Sequence, residues 1–461
     1  MEVSYNPVYR VTIFLSVILG LTLSGCDVNP LANRLTPSQD QALQVWWSEG
    51  YYPEETEAIQ TTVQAWQKKT NNKVKLTFFS EKDLLEQARN NIKTGTPPDI
   101  IYGYSIDLIL LPQLAWQGKL ADTSSIIEPI KQEYSPQALQ SVLYFNAKDK
   151  KRSYYAVPIS QQTTHIHYWK DLLEQSGGNP KQIPQQWSAF WQSWETAQDS
   201  LRKQGMKELY ALGLPMSVAA TDTFTVFEQF LEAYNVQILN SNGSLQIDKP
   251  EVRDGLIKAL TAYTTPYLKK YVPPKAVDWT DPDNNINFLS NLTLMTANAS
   301  LSIPGSQRGD DINYLERMRT IPWPNKPSNE PMRYVVSTKQ VAIFQQTPHL
   351  EEAKSLVSFL VKPQNLASYV EGAQGRFFPV MPSITKRPFW QNPKDIHVTA
   401  AAKQFKNTRP SYVVLNAAYS EVLAQNVWGE AIRSIVVDKV SPQKAADAAI
   451  EKITNIFAQW K

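Results

Sequence analysis

The chain has 461 residues, 46 Lys and Arg against 43 Asp and Glu, a net charge of +3, and 42% hydrophobic residues. That length suits roughly two or three packed domains, and the apolar content excludes a disordered chain. The even charge balance, with no basic stripe, excludes nucleic acid as the expected partner.

The first element is the apolar run Val11 to Leu23, which follows Arg10 and ends in Leu23-Ser24-Gly25-Cys26. A spanning helix needs about 20 apolar residues, so this shorter run reads as the core of an export signal. Its end resembles the bacterial lipobox, and Cys26 is the single cysteine in the chain. The resemblance implies cleavage before Cys26, leaving 1–25 as signal peptide, and acylation of the thiol and the new amine. Each buried lipid methylene contributes about 0.8 kcal/mol, and one chain holds only marginally, so two or three acyl chains suffice where a spanning helix is absent. A lone cysteine also rules out an intramolecular disulfide framework. Residues 26–40 are polar, contain prolines and show no period, as a tether would.

Beyond the tether, strand and helix signals alternate. Leu43 to Trp47 reads as a buried strand, and Pro53-Glu54-Glu55 opens a helix with apolar positions Ile59, Val63 and Trp66. Lys73 to Phe79 alternates as a strand with one face inward. Leu84, Leu85, Ala88 and Ile92 mark a second helix ending at Gly95, and Asp99 to Tyr102 is a short buried strand. This β-α-β-α-β order predicts an α/β fold with a parallel sheet covered by helices. Further on, Trp187, Phe190, Trp191, Trp194 and Leu201 share one helical face and read as core. Tyr210 to Leu214 is strand-like, and Glu251 to Tyr271 and the last forty or so residues are helical in pattern.

The order of these signals resembles the extracellular solute-binding proteins of ABC importers, in the family of the maltose-binding protein. The resemblance lies in K-K-T-N-N-K-V at 68–74, G-T-P-P-D-I-I-Y at 95–102, Y-Y-A-V-P at 154–158, N-L-T-L-M-T-A-N-A-S at 291–300, E-E-A-K-S-L-V-S-F-L at 351–360, G-R-F-F-P-V at 375–380 and S-P-Q-K-A-A-D-A-A-I-E-K-I at 441–453. Two departures stand out: Ala299 takes the place of the family's usual glycine after the returning strand, and His165 and His167 occupy a strand where small or apolar residues are usual. The resemblance implies two α/β lobes joined by crossing hinge strands, the type II arrangement, with a ligand between them. The crossings are expected near 157–161, 294–298 and 344–348. The first lobe would then be 41–158 with 297–343, and the second 159–296 with 344–461. It also implies a lipid-anchored, monomeric receptor on the cell membrane, facing the periplasm or the exterior. Such a receptor hands a small molecule to an ABC permease and needs no cofactor.

In open α/β sheets a ligand lies beyond the carboxyl ends of the strands. The loops there offer Trp47, Glu49 and Tyr51 after the first strand and Ser80-Glu81 after the second. Glu81 binds a hydroxyl or stands in the helix cap. The family places ligand contacts directly after the third strand, which points to Tyr104. Asp222 and Phe224 begin a helix, where Asp222 is a ligand contact or a cap. Asn298 follows the returning strand, Arg376 brings a planar five-donor head suited to paired hydroxyls, and Trp428 stands near where family members place a stacking ring. A sugar needs this mixture of flat rings and polar groups, because an unpaired buried polar group costs about 1–3 kcal/mol.

Other readings compete with the sugar receptor, among them a surface interaction protein that has lost its ligand. His165 and His167, two apart on a strand, face one side, as a metal pair would, although no further Cys or His cluster is visible. Ferric ion, a phosphate ester or a peptide would keep the binding role and change the guest. A secreted glycoside-processing enzyme needs two carboxyls about 5–10 Å apart in space, which sequence does not exclude. No H-E-x-x-H, G-x-S-x-G, Walker or G-x-G-x-x-G motif occurs.

Overall fold

A computed structural model describes residues 42–460. The expected signal peptide, Cys26 and the whole of the tether lie outside the described residues. Twelve strands follow in chain order: β1 (Leu43–Ser48), β2 (Val74–Phe79), β3 (Ile100–Tyr102), β4 (Leu143–Asn146), β5 (Lys151–Tyr154), β6 (Val157–Gln162), β7 (His165–Trp169), β8 (Tyr210–Gly213), β9 (Thr293–Asn298), β10 (Met318–Ile321), β11 (Tyr334–Ile343) and β12 (Thr408–Pro410).

They form two main sheets. One runs β12-β11-β3-β1-β2, with β6 also paired to β11; the other runs β10-β7-β9-β8, and β4 pairs with β5. β1 is parallel to both β2 and β3, as the β-α-β-α-β pattern requires, and β11 enters antiparallel. The connecting helices obey their local signals. Pro53–Thr70 starts on proline, carries Glu54 and Glu55 in its first turn and Lys68 and Lys69 in its last, and stops at left-handed Asn71. In Glu81–Thr94 the Ser80 hydroxyl accepts from the Asp83 N–H, and Gly95 at φ 80° ends the helix.

Each sheet has its own hydrophobic core. The first gathers residues from Leu43 to Ile159 together with Val341 to Ala401. The second gathers Ile166 to Tyr334 and Tyr412 to Ile456, and includes the tryptophan-rich helix Trp187–Lys203. The expected partition therefore differs from the packing after residue 297. Residues 302–334 supply the second core, and 353–401 return to the first. The reason lies in β11. Its ten residues begin at Tyr334 in the second core and end at Val341, Ala342 and Ile343 in the first, so the chain changes cores within one strand instead of after it. A further passage brings it back near 402–412.

Candidate functional site

A cavity of about 300 Å³ opens between the two cores, at the small end of the roughly 300–1,000 Å³ range of small-molecule sites. Its first wall comes from the turns after β1, β2 and β3 and from the 375–377 loop; its second comes from the start of the helix Thr221–Ala233, the turn at Asp281, and the segment after β9. Seven of the expected ligand residues line it: Glu49, Tyr51, Glu81, Tyr104, Asp222, Asn298 and Arg376.

They are not equivalent. Both Glu81 oxygens are already occupied. Oε2 accepts the Ser48 hydroxyl at 2.6 Å and the Tyr104 N–H at 2.9 Å, and Oε1 accepts the Ser105 N–H at 2.8 Å and the Ser105 hydroxyl. A carboxylate has about four lone-pair sites, so Glu81 ties the three strand-end turns together and has none left for a guest. Its sequence reading as a hydroxyl binder thus becomes a positioning role. Asn298 is similarly engaged: it donates to Asn285 Oδ1 and accepts the Ser300 N–H at 2.9 Å.

Arg376 is held in place by its loop. Gly375 adopts φ +70°, and a Cβ there would stand 2.8 Å from the Phe389 ring, so glycine is required for the turn that presents Arg376. The guanidinium donates from Nη1 to buried Glu55 at 2.8 Å and lies 4.0 Å above the Tyr104 ring, 4.8 Å from Phe377 and 5.6 Å from Tyr51. Burial alone would lower its pKa, but Glu55 and the surrounding tyrosines more than offset this and raise it. Glu55 also accepts the Tyr51 N–H at 3.0 Å, and the Tyr104 hydroxyl donates to the Glu49 carbonyl at 2.6 Å. The result is one wall of rings and a fixed cation, with the exposed Glu49 carboxylate at its edge.

The opposite wall is acidic. Asp281 accepts the Asp222 N–H at 3.0 Å and the Thr221 hydroxyl at 2.9 Å, so Asp281, and not Asp222, caps this helix. Asp222 Oδ2 accepts from Asn284 at 3.1 Å. Burial pushes the Asp222 carboxyl up, and the neighbouring Asp281 pushes it further; burial also raises Asp281. Burial raises the Tyr51 phenol as well, and Asn285 of the second wall lies within reach of it.

Three expected contacts are not in the cavity. Trp47 is 3% exposed, stacked on Tyr102 at 4.2 Å and edge-on to Tyr369 at 6.1 Å. Trp46 and Trp47, adjacent on the strand, point to opposite faces of the sheet. Both faces of this sheet are covered, however, so Trp46 packs on Phe79 and Trp47 is buried. Phe224 belongs to the second core. Trp428 is also core: its Nε1–H donates to the Tyr419 hydroxyl at 3.2 Å, which donates to Glu228 at 2.7 Å. Sequence reasoning missed Asp281, Asn285, Gln162 and Phe377. Phe377 was legible as the neighbour of Arg376; Asp281 and Asn285 lie in a polar D-W-T-D-P-D-N-N-I-N stretch with no periodic signal.

His165 and His167 do share a side, and His397 joins them in a buried cluster. His397 has the contacts of a neutral ring. The Tyr314 carbonyl only accepts, so His397 Nε2 donates to it at 2.8 Å, which leaves His397 Nδ1 to accept the Thr320 hydroxyl at 2.6 Å. The Thr320 oxygen then accepts from His167 Nδ1 at 2.9 Å. Burial lowers all three imidazoles, His165 to about 3 and His397 to about 4. Among the described residues no three His, Cys, Asp or Glu side chains gather to hold a metal ion.

The profile of the family described as bacterial extracellular solute-binding protein matches residues 61–399. This chain belongs to that family. Solved solute-binding structures share its fold. One is an ABC transporter solute-binding protein from Thermotoga lettingae TMO bound with alpha-D-tagatose, with TM-score 0.75 and 18% identity, covering 90% of this chain and 99% of that one. The maltose-bound MalE3 of T. maritima gives 0.72 and 16%, covering 90% and 100%. A sugar transporter protein from Arthrobacter chlorophenolicus A6 with laminaribiose gives 0.72 and 15%, covering 90% and 99%. Like them, this solute-binding protein is an α/β chain of sheets flanked by helices, and its family is one of binding proteins rather than enzymes. No helix among its described residues is long and apolar enough to cross a membrane.

Proposed function

We propose that this solute-binding protein captures a sugar or related polyol and delivers it to an ABC permease. The observation that carries the reading is the cavity itself. It is lined from both cores and combines flat rings with fixed polar groups, as a hydroxyl-rich guest with apolar C–H faces requires. Relatives of the same fold were solved with tagatose, maltose and laminaribiose. In this reading one lobe is about 42–159 with 341–401 and the other about 166–334 with 412–456. The hinge runs through the β6–β7 step, β11 and the 402–411 passage. The lobes close on the guest by hinge movement, and the closed form gains only the difference in affinity between the two states. The receptor acts as a monomer, tied to the membrane through acylated Cys26.

A thermal-shift screen of the full chain against sugars, polyols, phosphate esters and metal ions tests this. A guest at 100 times its Kd adds about 2.7 kcal/mol of stability. A shift with ferric ion or a phosphate ester and none with any carbohydrate would overturn the sugar reading.

A further inference from the structure

We propose that one water molecule is a resident part of the hinge, held in a small polar cavity where the three crossings meet and bridging the Ser411 hydroxyl to the Glu228 carboxyl. This rests on the reading of the β6–β7 step, β11 and the 402–411 passage as the hinge.

The first argument is place and size. Besides the guest cavity there is a second one of about 10 Å³. Gln162, Thr163 and Thr164 of the β6–β7 step, Ser337 of β11 and Ser411 of the return passage all line it, so every crossing supplies a wall, and Glu228 closes it from the second core's helix Thr221–Ala233. Leu108, Gln162 and Thr225 line both cavities, so the two share a wall. A free space of about 10–15 Å³ is what a single water needs.

The second argument is a count of unspent polar groups. Ser411 is 2% exposed, and its Oγ is buried with no hydrogen-bond partner. Glu228, 3% exposed, accepts the Tyr419 hydroxyl on Oε1 at 2.7 Å, and its Oε2 has no partner among the described residues. The Gln162 carboxamide and the Thr164 hydroxyl, both buried, are also without a partner among the described residues. Thr163 and Ser337, by contrast, already donate to Gln404 and Asp107. Buried polar groups in folded proteins nearly always find partners, and a buried water typically makes about three hydrogen bonds to groups of this kind. Ser411 donates to such a water, which in turn donates to Glu228 and to the Gln162 amide oxygen.

The third argument separates water from an ion. Burial raises the Glu228 carboxyl, although Arg409 and the Tyr419 hydroxyl oppose it. A cation needs that carboxyl ionised, whereas water serves it in either form. The choice also matters for movement. A direct side-chain bond between crossings fixes their spacing; a water turns and re-forms its bonds as the strands shift, at little cost relative to a direct bond.

The test is a high-resolution crystal structure of the unliganded full chain, a thallium(I) soak of the same crystals, and oxygen-17 relaxation dispersion in solution. A density peak is expected about 2.5–3.2 Å from both Ser411 Oγ and a Glu228 oxygen, with no thallium signal there. Ser411→Val removes the hydroxyl and fills the space, and it should hold one long-lived water fewer than the wild type. The wild-type map decides by itself should that variant misfold. An empty cavity, a thallium peak at this position, or an unchanged count in the folded variant would each overturn the proposal. None of these readouts involves a guest, so the sugar reading stands or falls separately.

Discussion

Mild acid should destabilise this protein through its buried histidines. The perturbation is a fall from pH 7.5 to pH 5. His165 and His397 are held at about 3 and about 4 by burial, against about 6.5 in an unfolded chain. The folded state keeps the neutral rings, so protons enter the unfolded chain first. The stabilisation is complete above pH 6.5 and is lost as pH falls through 6.5 toward the folded values. At pH 5, about 1.5 pH units below the unfolded value, each ring costs about 2 kcal/mol. His167 is lowered in the same direction, by burial first and then by the two other rings. His165 and His397 together, about 4 kcal/mol, are a large share of an ordinary domain stability of about 5–15 kcal/mol. The raised carboxyls Asp222, Asp281, Asp107 and Glu228 act in the opposite direction and gain on acidification, so the bare pH slope mixes both effects. The assay is therefore a difference. Urea unfolding of the wild type, His397→Gln and His165→Gln is measured at pH 7.5 and pH 5. A glutamine amide at 397 still donates to the Tyr314 carbonyl but does not titrate. Each variant should lose about 2 kcal/mol less than the wild type over that interval, whatever its stability at pH 7.5. Equal losses in all three proteins would refute the argument that these rings are held neutral.

Three further outcomes follow from named contacts. Glu81→Ala strips partners from two backbone N–H groups and two hydroxyls; at about 1–3 kcal/mol for each that stays unsatisfied, the melting temperature falls steeply, and guest affinity falls with it because three cavity turns loosen. Glu55→Ala leaves Arg376 as an unpaired cation 11% exposed, costing about 3–5 kcal/mol in chemical denaturation, whereas Trp47→Ala costs a similar amount through a core cavity and leaves residual guest binding in the folded fraction. Cys26→Ser should abolish incorporation of labelled palmitate and release the protein from membranes on fractionation; a variant that still takes up label would place the acyl group elsewhere.

What was legible in the sequence and what was not separates along physical lines. Local signals gave the elements. Proline, carboxylates and Asn71 bound one helix, and Ser80 and Gly95 bound the next, because capping is settled by a few adjacent residues. The loops after β1, β2 and β3 were legible as cavity walls because strand direction in a parallel sheet places them at one end, whatever their composition. Whether a given side chain in those loops is free was not legible. Glu81 looked like a binder until its four donors, drawn from the turns after β1 and β3, were in place. Trp47 looked releasable because alternation along a strand says which face a ring takes, not whether that face is covered. The lobe partition differs after residue 297 because β11 is one continuous strand whose apolar ends lie in different cores on either side of a polar Ser337–Gln340 centre.

The acidic wall was the hardest part to read. Asp222 and Asp281 are 59 residues apart and meet because one caps the other's helix. A cap chosen from sequence would have been Asp222 itself. The placement matters chemically. An aspartate that caps its own helix spends its carboxylate on backbone N–H groups. Here that task falls to Asp281, and Asp222 keeps an oxygen that no described residue satisfies. The free oxygen of Asp222 therefore arises from a long-range exchange of a local role. Glu49, exposed just after β1, brings a carboxylate to the edge of the other wall.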